Sequence, residues 1–374
     1  MIRFYLLFFL FLVSLLCLFR APQYHLWLLA IGVSEFPFVF FGITLLVTAN
    51  GFWSPKLQLA GTILGIFTML VFLSPVLRAY LVAKNIKTEM AHAFNSPVVN
   101  VKPLSFLKLF KSAKNGQAKS LTYVSYSDTS LKLDFFPANK TGKQPCVLVI
   151  HGGSWAGGDS KQLPELNTFL AEKGYHVAAL NYRLAPKYQT PAPIEDIKNA
   201  LTYLKVHAAE LNIDTTNFVL LGRSAGAQIA LLAAYTLHDP DLKGVIDFYG
   251  PADMVWGYSI PSNPLIMDSR KVMDDYIGGP YNKVPQKYVA CSPLEFVDKT
   301  AVPTLIIHGN NDVLVSPEHS RRLNEKLEKN GVKHYWLKLP WATHGFDFNL
   351  NGPGGQLSTF AVETFLKAVS PPTP

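Results

Sequence analysis

The residues best suited to chemistry lie in "LLGRSAGAQIALLAAY", where Gly222-Arg223-Ser224-Ala225-Gly226 follows an apolar strand and opens a helical stretch. A serine on so tight a strand-to-helix turn is pushed out above the sheet, and glycine suits the crowded flanking positions. Ser224 is therefore a candidate nucleophile. Because a serine hydroxyl is a poor nucleophile at neutral pH, it needs a base, and the base needs a partner that fixes its tautomer. The motif's chain order is serine, then acid, then histidine. "LIIHGNNDVLV" places Asp312 just past a strand end, and "LPWATHGFDF" places His344 in a glycine-containing loop before the last helix. His308 and His319 are rivals, but one ends a strand and the other falls within a helix. Asp268, Asp274 and Asp275 lie in an insertion, and Asp347 is too close to His344 to be the obvious orienter.

Acyl transfer puts negative charge on a carbonyl oxygen, which backbone N–H groups aimed at it stabilise. Ala225, the residue after the nucleophile, offers one. "VIHGGSWAGG", residues 149 to 158, sits where an HGGG-type turn supplies the others. The candidate oxyanion hole is Gly152, Gly153, Ser154 and Ala225, with His151 and Trp155 as its neighbours. Ser154 replaces a third glycine, but its N–H is still present, so the donor need not be lost.

These residues need a scaffold. Short apolar runs recur as "CVLVIH", "HVAALNY", "NFVLLG", "GVIDFYG" and "PTLIIHG", mostly without polar alternation, as in parallel strands buried on both faces. Between them, Ile194, Ile197, Leu201 and Leu204 fall at helical spacing, and "SPEHSRRLNEKLEKNG" and "LSTFAVETFLKAV" predict later helices. The alternation predicts a doubly wound α/β domain. Residues 251 to 300, rich in Pro, Tyr, Met and Trp, interrupt it as a cap over a pocket, with Met254, Trp256, Tyr258, Tyr276 and Tyr281 as its apolar wall.

Together these features resemble the α/β-hydrolase fold: a mostly parallel central sheet covered by helices, with a small cap. The narrower resemblance is to the branch of hormone-sensitive-lipase-like, feruloyl-esterase-like and kynurenine-formamidase-like enzymes. It covers roughly residues 120 to 370 and also rests on "NYRLAP" at 181 to 186, "PAPIEDIKNAL" at 191 to 201, "HGNND" and "THGF". It implies a cofactor-free serine hydrolase acting on a small-molecule ester, with Arg183 and Asp196 as supporting residues that shape the loops around the site; the alternative for that pair is a surface ion pair. Formamidase-like members carry a larger residue at the position of Ser154, so an amide substrate stays open. So do a peptidase, which would normally bring a large extra domain, and a non-catalytic binding protein on the same fold.

The first 90 residues lie outside that resemblance. Phe4 to Phe19 and Leu57 to Leu77 are charge-free apolar runs, and His25 to Ala49 is interrupted by Glu35 and Pro37. About 20 apolar residues span a bilayer, so residues 1–90 are expected to form a multi-pass membrane region of two or three transmembrane helices. The first run has no small-residue signal cleavage site and is marginal in length. Residues 91–120 follow as a linker or interfacial segment, in which "VKPLSFLKLFKSAK" fits either a helix on an anionic membrane surface or a packed linker. With three spans, Arg20, Arg78, Lys84 and Lys87 on the domain side outnumber Arg3 and Lys56, which places the domain of residues 121–370 in the cytoplasm.

The net charge of +8 divides evenly about residue 91, so no basic domain points to nucleic acid. Cys17, Cys146 and Cys291 form no framework, and the histidines show no HExxH or HxH pair, so no metal site is expected.

Overall fold

The structure, a computed structural model, describes residues 1–53 and 57–373; Lys56, counted in the charge comparison above, lies outside the described residues. Its strands are β1 (Lys119–Ser125), β2 (Ser130–Phe136), β3 (Gln144–Ile150), β4 (His176–Leu180), β5 (Ile213–Arg223), β6 (Leu242–Phe248), β7 (Thr304–Gly309) and β8 (His334–Leu339). They form one sheet in the order β1-β2-β4-β3-β5-β6-β7-β8. From β4 to β8 every neighbouring pair is parallel, and the five apolar runs supply β3 to β7. β1 and β2 add antiparallel at one edge. In β2 buried and exposed residues alternate, the pattern of a strand that is solvated on one face.

At the N-terminus, α1 (Ile2–Ser14) is followed by α2 (Tyr24–Glu35), α3 (Pro37–Ala49) and α4 (Gln58–Phe94). By length and composition the structure offers one span, or two if the bent pair α2–α3 is counted as one, against the two or three expected. Among the described residues, only α4 is by itself long and apolar enough to cross a membrane. The run from His25 to Ala49 divides into α2 and α3, which bend by 88° at Phe36. A proline at the first position of α3 explains the break, because it disfavours a helical residue before it. At about 1.5 Å per residue, the 13 residues of α1 reach about 20 Å, short of the ~30 Å bilayer core. Arg3 is buried and bonds to Val47 O, Thr48 O, Gln58 O and Thr62 Oγ1, so it ties helix ends together.

Then come α5 (Pro164–Glu172), α6 (Ala192–Val206), α7 (Ala208–Leu211) and α8 (Ala225–Thr236). Three short cap helices follow: α9 (Met254–Ser259), α10 (Ser269–Ile277) and α11 (Pro285–Ala290). The last two are α12 (Glu318–Lys329) and α13 (Pro353–Val369). One core layer joins α6, α8, α12 and the cap to one face of the sheet. The other joins α5, α13 and the second half of α4 to the opposite face.

α4 thus has two environments. Leu59, Ile63, Phe67 and Leu70 in its first half are exposed, while Ala79, Ile86, Met90 and Phe94 are buried in the core of the α/β domain. It runs past residue 90, with the Phe94 ring 5.0 Å from Phe365 and Glu89 accepting from the Tyr335 hydroxyl at 2.7 Å. The stretch Phe106–Phe110 forms a short 3-10 turn, and the Phe38 ring packs on Phe106 and Phe110 at 5.0 and 4.6 Å.

If the second half of α4 is core, Ile86→Ala costs about 2–5 kcal/mol of domain stability, the usual range for such a truncation in a packed site. Denaturant unfolding in detergent, followed by tryptophan fluorescence, checks this.

Candidate functional site

The carboxyl ends of β3, β5, β7 and β8 converge, and each delivers one part of the site. Ser224 sits between β5 and α8 at φ +52°, ψ −119°, a left-handed turn that a side chain adopts only under constraint. Its N–H donates to Phe248 O at 2.9 Å. The constraint is close backbone contact: a β-carbon on Gly226 would lie 2.3 Å from the carbonyl oxygens of both Ile150 and His151.

Asp312 follows β7 and His344 follows β8, and both are buried. The two loops are laced together: Asn310 N donates to Leu339 O and Asn311 N to Ala342 O, each at 3.0 Å. Across that seam His344 Nδ1 donates to Asp312 Oδ2 at 2.7 Å. A carboxylate only accepts, so Nδ1 carries the proton and Nε2 keeps its lone pair. Asp312 Oδ1 accepts from Leu314 N and Val315 N at 2.8 and 2.9 Å. Burial pushes the Asp312 pKa up, but the imidazoles of His344 and His308 outweigh it and hold the carboxyl well below the usual range.

His308, rejected from sequence as a base, touches the acid. Its Nε2 donates to Asp312 Oδ2 and Val315 O, both at 3.1 Å, while Nδ1 accepts from the Ser320 hydroxyl. Asp347 is engaged elsewhere: Arg223 Nε donates to its Oδ2 at 2.6 Å and the Tyr249 hydroxyl to its Oδ1. The Tyr249 ring in turn lies 4.3 Å from the His344 ring. Among the described residues no hydrogen bond joins the Ser224 hydroxyl to His344; such bonds are often long until a substrate is bound.

The "HGGSW" loop lies against the serine, since a β-carbon on Gly152 would meet Ser224 Cβ at 3.4 Å. Gly152 N–H is already committed, donating to Gln162 Oε1 at 2.8 Å, which removes it from the expected oxyanion donors. Among the described residues, the N–H groups of Gly153, Ser154 and Ala225 have no acceptor. Gly153 at φ +122° admits no side chain, because a β-carbon there would lie 2.2 Å from Gly157 O. Ser154 and Trp155 take up φ +54° and +58° without being glycine. The surroundings hold that strain in place. Trp155 stacks on Tyr276 at 4.5 Å and donates to Gln228 Oε1 at 2.9 Å, and Ser154 Oγ reaches Met267 Sδ at 3.7 Å.

His151 is not placed to act on substrate. It stacks on Tyr182 at 4.4 Å with Nδ1 against Gly152 O, and burial pushes its pKa down. Arg183 and Asp196 are not a surface pair. The buried Asp196 carboxylate accepts from Arg183 N and Nε at 2.8 and 2.9 Å and from the Tyr126 hydroxyl at 2.7 Å. Two residues past Arg183, Ala185 N donates to Trp155 O, so this pair braces the oxyanion loop.

A cavity of about 450 Å³ opens over Ser224, Ala225, Ser154 and Asp312. The predicted cap aromatics do not line it. Tyr276 is buried against Trp155, and Tyr258, Tyr281 and Tyr288 pack on one another. The apolar wall is Ile260, Ile266, Met267, Val272, Met273 and Leu314. His319 also faces the cavity, held neutral because burial pushes its pKa down to about 3. Arg20, Ala21 and Pro22, from the segment between α1 and α2, complete the lining. No cluster of three or more metal-ligating side chains occurs among the described residues.

Residues 133–327 match the model of the BD-FAE family. The chain is 28% identical over 284 residues to "Probable carboxylic ester hydrolase LipM" of Mycobacterium tuberculosis, covering 71% of this chain and 64% of that protein. It is 28% identical over 246 residues to "Esterase LipC" of the same organism, covering 61% and 59%. The chain therefore spans less than two thirds of the length of these curated relatives. Among solved structures, an acetyl ester-xyloside bifunctional hydrolase from Caldicellulosiruptor lactoaceticus superposes with TM-score 0.58 at 20% identity, covering 69% of this chain and 98% of that one. A thermophilic esterase from Thermogutta terrifontis gives 0.56 at 22% identity, covering 69% and 94%. Those two likenesses concern the fold. With 195 of 374 residues inside the family model and its sheet shared with these structures, the chain belongs to the BD-FAE family and has the α/β-hydrolase fold.

Proposed function

We propose that the protein hydrolyses carboxylic esters through Ser224, His344 and Asp312. The observation that carries this reading is the 2.7 Å bond from His344 Nδ1 to Asp312, which leaves Nε2 as the nitrogen available to act as base, while Ser224 stands on a strained turn and shares a cavity with Asp312. His344 Nε2 takes the Ser224 proton as Oγ bonds to the acyl carbon, and the tetrahedral oxyanion is met by the N–H groups of Gly153, Ser154 and Ala225. The proton passes to the leaving alcohol. Water, deprotonated by the same nitrogen, then releases the acid and restores the serine. Every proton is accounted for without a cofactor. The names of the curated relatives support an ester as substrate, and the apolar wall of the cavity favours an apolar acyl or alcohol group. With the first half of α4 as a membrane anchor, a lipophilic ester is the substrate class this reading favours.

Ser224→Ala is expected to lower kcat on p-nitrophenyl butyrate by about 10³-fold or more, whereas undiminished hydrolysis removes Ser224 from the chemistry and leaves the fold as a binding module. Asp312→Asn is expected to lower kcat by about 10³–10⁴-fold in a chain that still unfolds cooperatively. The depressed Asp312 pKa also fixes a pH window. Its stabilising contribution is complete above the unfolded value of about 3.9 and is lost as pH falls below it. The difference in Tm between wild type and Asp312→Asn should therefore shrink as pH falls below 4. Ser154→Gly keeps the donor N–H and removes the cost of a left-handed side chain, about 1 kcal/mol. It is expected to keep kcat within about threefold of wild type and to raise Tm; a collapse of activity would show that the chemistry needs the Ser154 hydroxyl.

A further inference from the structure

The segment from Arg20 to Glu35 touches both loops that carry the acid and the base, although it lies far away in sequence. Trp27 Nε1 donates to His344 O at 3.0 Å. Arg20 donates from Nη2 and Nε to Asn310 O at 2.9 and 3.3 Å, two residues before Asp312. Pro22 O accepts from Asn263 Nδ2, and Tyr24 N donates to Leu265 O, each at 3.0 Å, which joins the same segment to the cap. The contacts on α2 follow one helical face. Trp27 meets His344, Ile31 lies against Gly345, and Glu35 accepts from Gly354 N at 2.9 Å and, through its carbonyl, from Asn349 at 2.8 Å. Spacing by four residues puts the three side chains in a row along the loop that follows β8.

The His344 loop needs such a hold. Its neighbour Gly345 is at φ +80°, and the imidazole is otherwise fixed by the single bond to Asp312 and by packing on Tyr249. The Trp27 indole bonds the backbone of the base itself. Resting on the ester-hydrolase reading above, we propose that Trp27 is a positioning residue for His344, and that Arg20, Ala21 and Pro22 form a working wall of the substrate pocket. The N-terminal helical region is then part of the active site as well as an anchor.

The test uses the full chain in detergent micelles, with p-nitrophenyl butyrate as substrate and a fluorophosphonate as the label for Ser224. Trp27→Phe keeps the ring packing and removes the donor. Its kcat is expected to fall about tenfold with KM within twofold, and the labelling rate to fall by the same factor, since a base displaced by a fraction of an ångström acts slowly on bound substrate. Trp27→His, which retains an N–H donor, is expected to recover part of the loss. Leu28→Ala, at an exposed position one residue along α2, should keep wild-type values. Arg20→Met serves as the second variant if Trp27→Phe does not fold. It is expected to raise KM severalfold and lower kcat, because Arg20 both lines the cavity and holds the acid loop. Wild-type constants in Trp27→Phe, or in Arg20→Met where that variant has to stand in for it, overturn the proposal, as does an equal loss in Leu28→Ala. A wild-type chain that neither labels nor hydrolyses overturns the ester-hydrolase reading and this proposal with it, whereas an active wild type with unaffected variants overturns this proposal alone.

Discussion

At Gly226 there is no room for a side chain: the first turn of α8 presses its backbone onto the carbonyl oxygens of Ile150 and His151, where β3 runs into the "HGGSW" loop. That contact sets the distance between two parts of the site. It forces Ser224 into its left-handed turn, because the chain must reverse from β5 into α8 with no slack. It also sets the loop that carries the free N–H groups of Gly153 and Ser154 against the turn of Ser224 and Ala225. The remaining parts come from further along the same carboxyl edge of the sheet, on the loops after β7 and β8, where Asp312 and His344 meet.

Around this contact several polar groups are committed to structural bonds. Gly152 N–H goes to Gln162, Asp347 to Arg223 and Tyr249, and His308 to Asp312 and Ser320. The amides of Gly153, Ser154 and Ala225 and the Nε2 of His344, the set that an acyl transfer would use, are among the groups that stay without a partner in the described residues. The same bookkeeping makes Ser154 intelligible. Its φ of +54° is held by Trp155, itself pinned to Gln228 and Tyr276, and its amide stays free.

Much of the domain was legible in the sequence because its signals are local. Both-face burial makes β3 to β7 unbroken apolar runs, and the tight turn at Ser224 requires glycines at fixed offsets. β1 and β2 were less visible, since a half-solvated edge strand alternates and resembles loop. The N-terminal region is only partly legible for a related reason. Apolar content predicts insertion into something apolar, but it cannot say whether that is lipid or the face of a sheet. The second half of α4 is buried in the domain, and α2 lies along the His344 loop. The contacts of Trp27, Arg20 and His308 left no trace in spacing, because each joins residues that only the tertiary fold brings together. The cap was located by its composition, yet its aromatics pack one another while Met267, Val272 and Met273 face the cavity.

The central claim is that Ser224 becomes acylated during turnover. Intact-mass and peptide mass spectrometry of the full-length chain, quenched within milliseconds of mixing with a p-nitrophenyl ester, tests it most directly. The account predicts a transient adduct of one acyl group on the peptide containing Ser224, appearing with a burst of p-nitrophenol and decaying as free acid accumulates. Steady release of p-nitrophenol with no adduct when deacylation is slowed, or an adduct on a different residue, would contradict it.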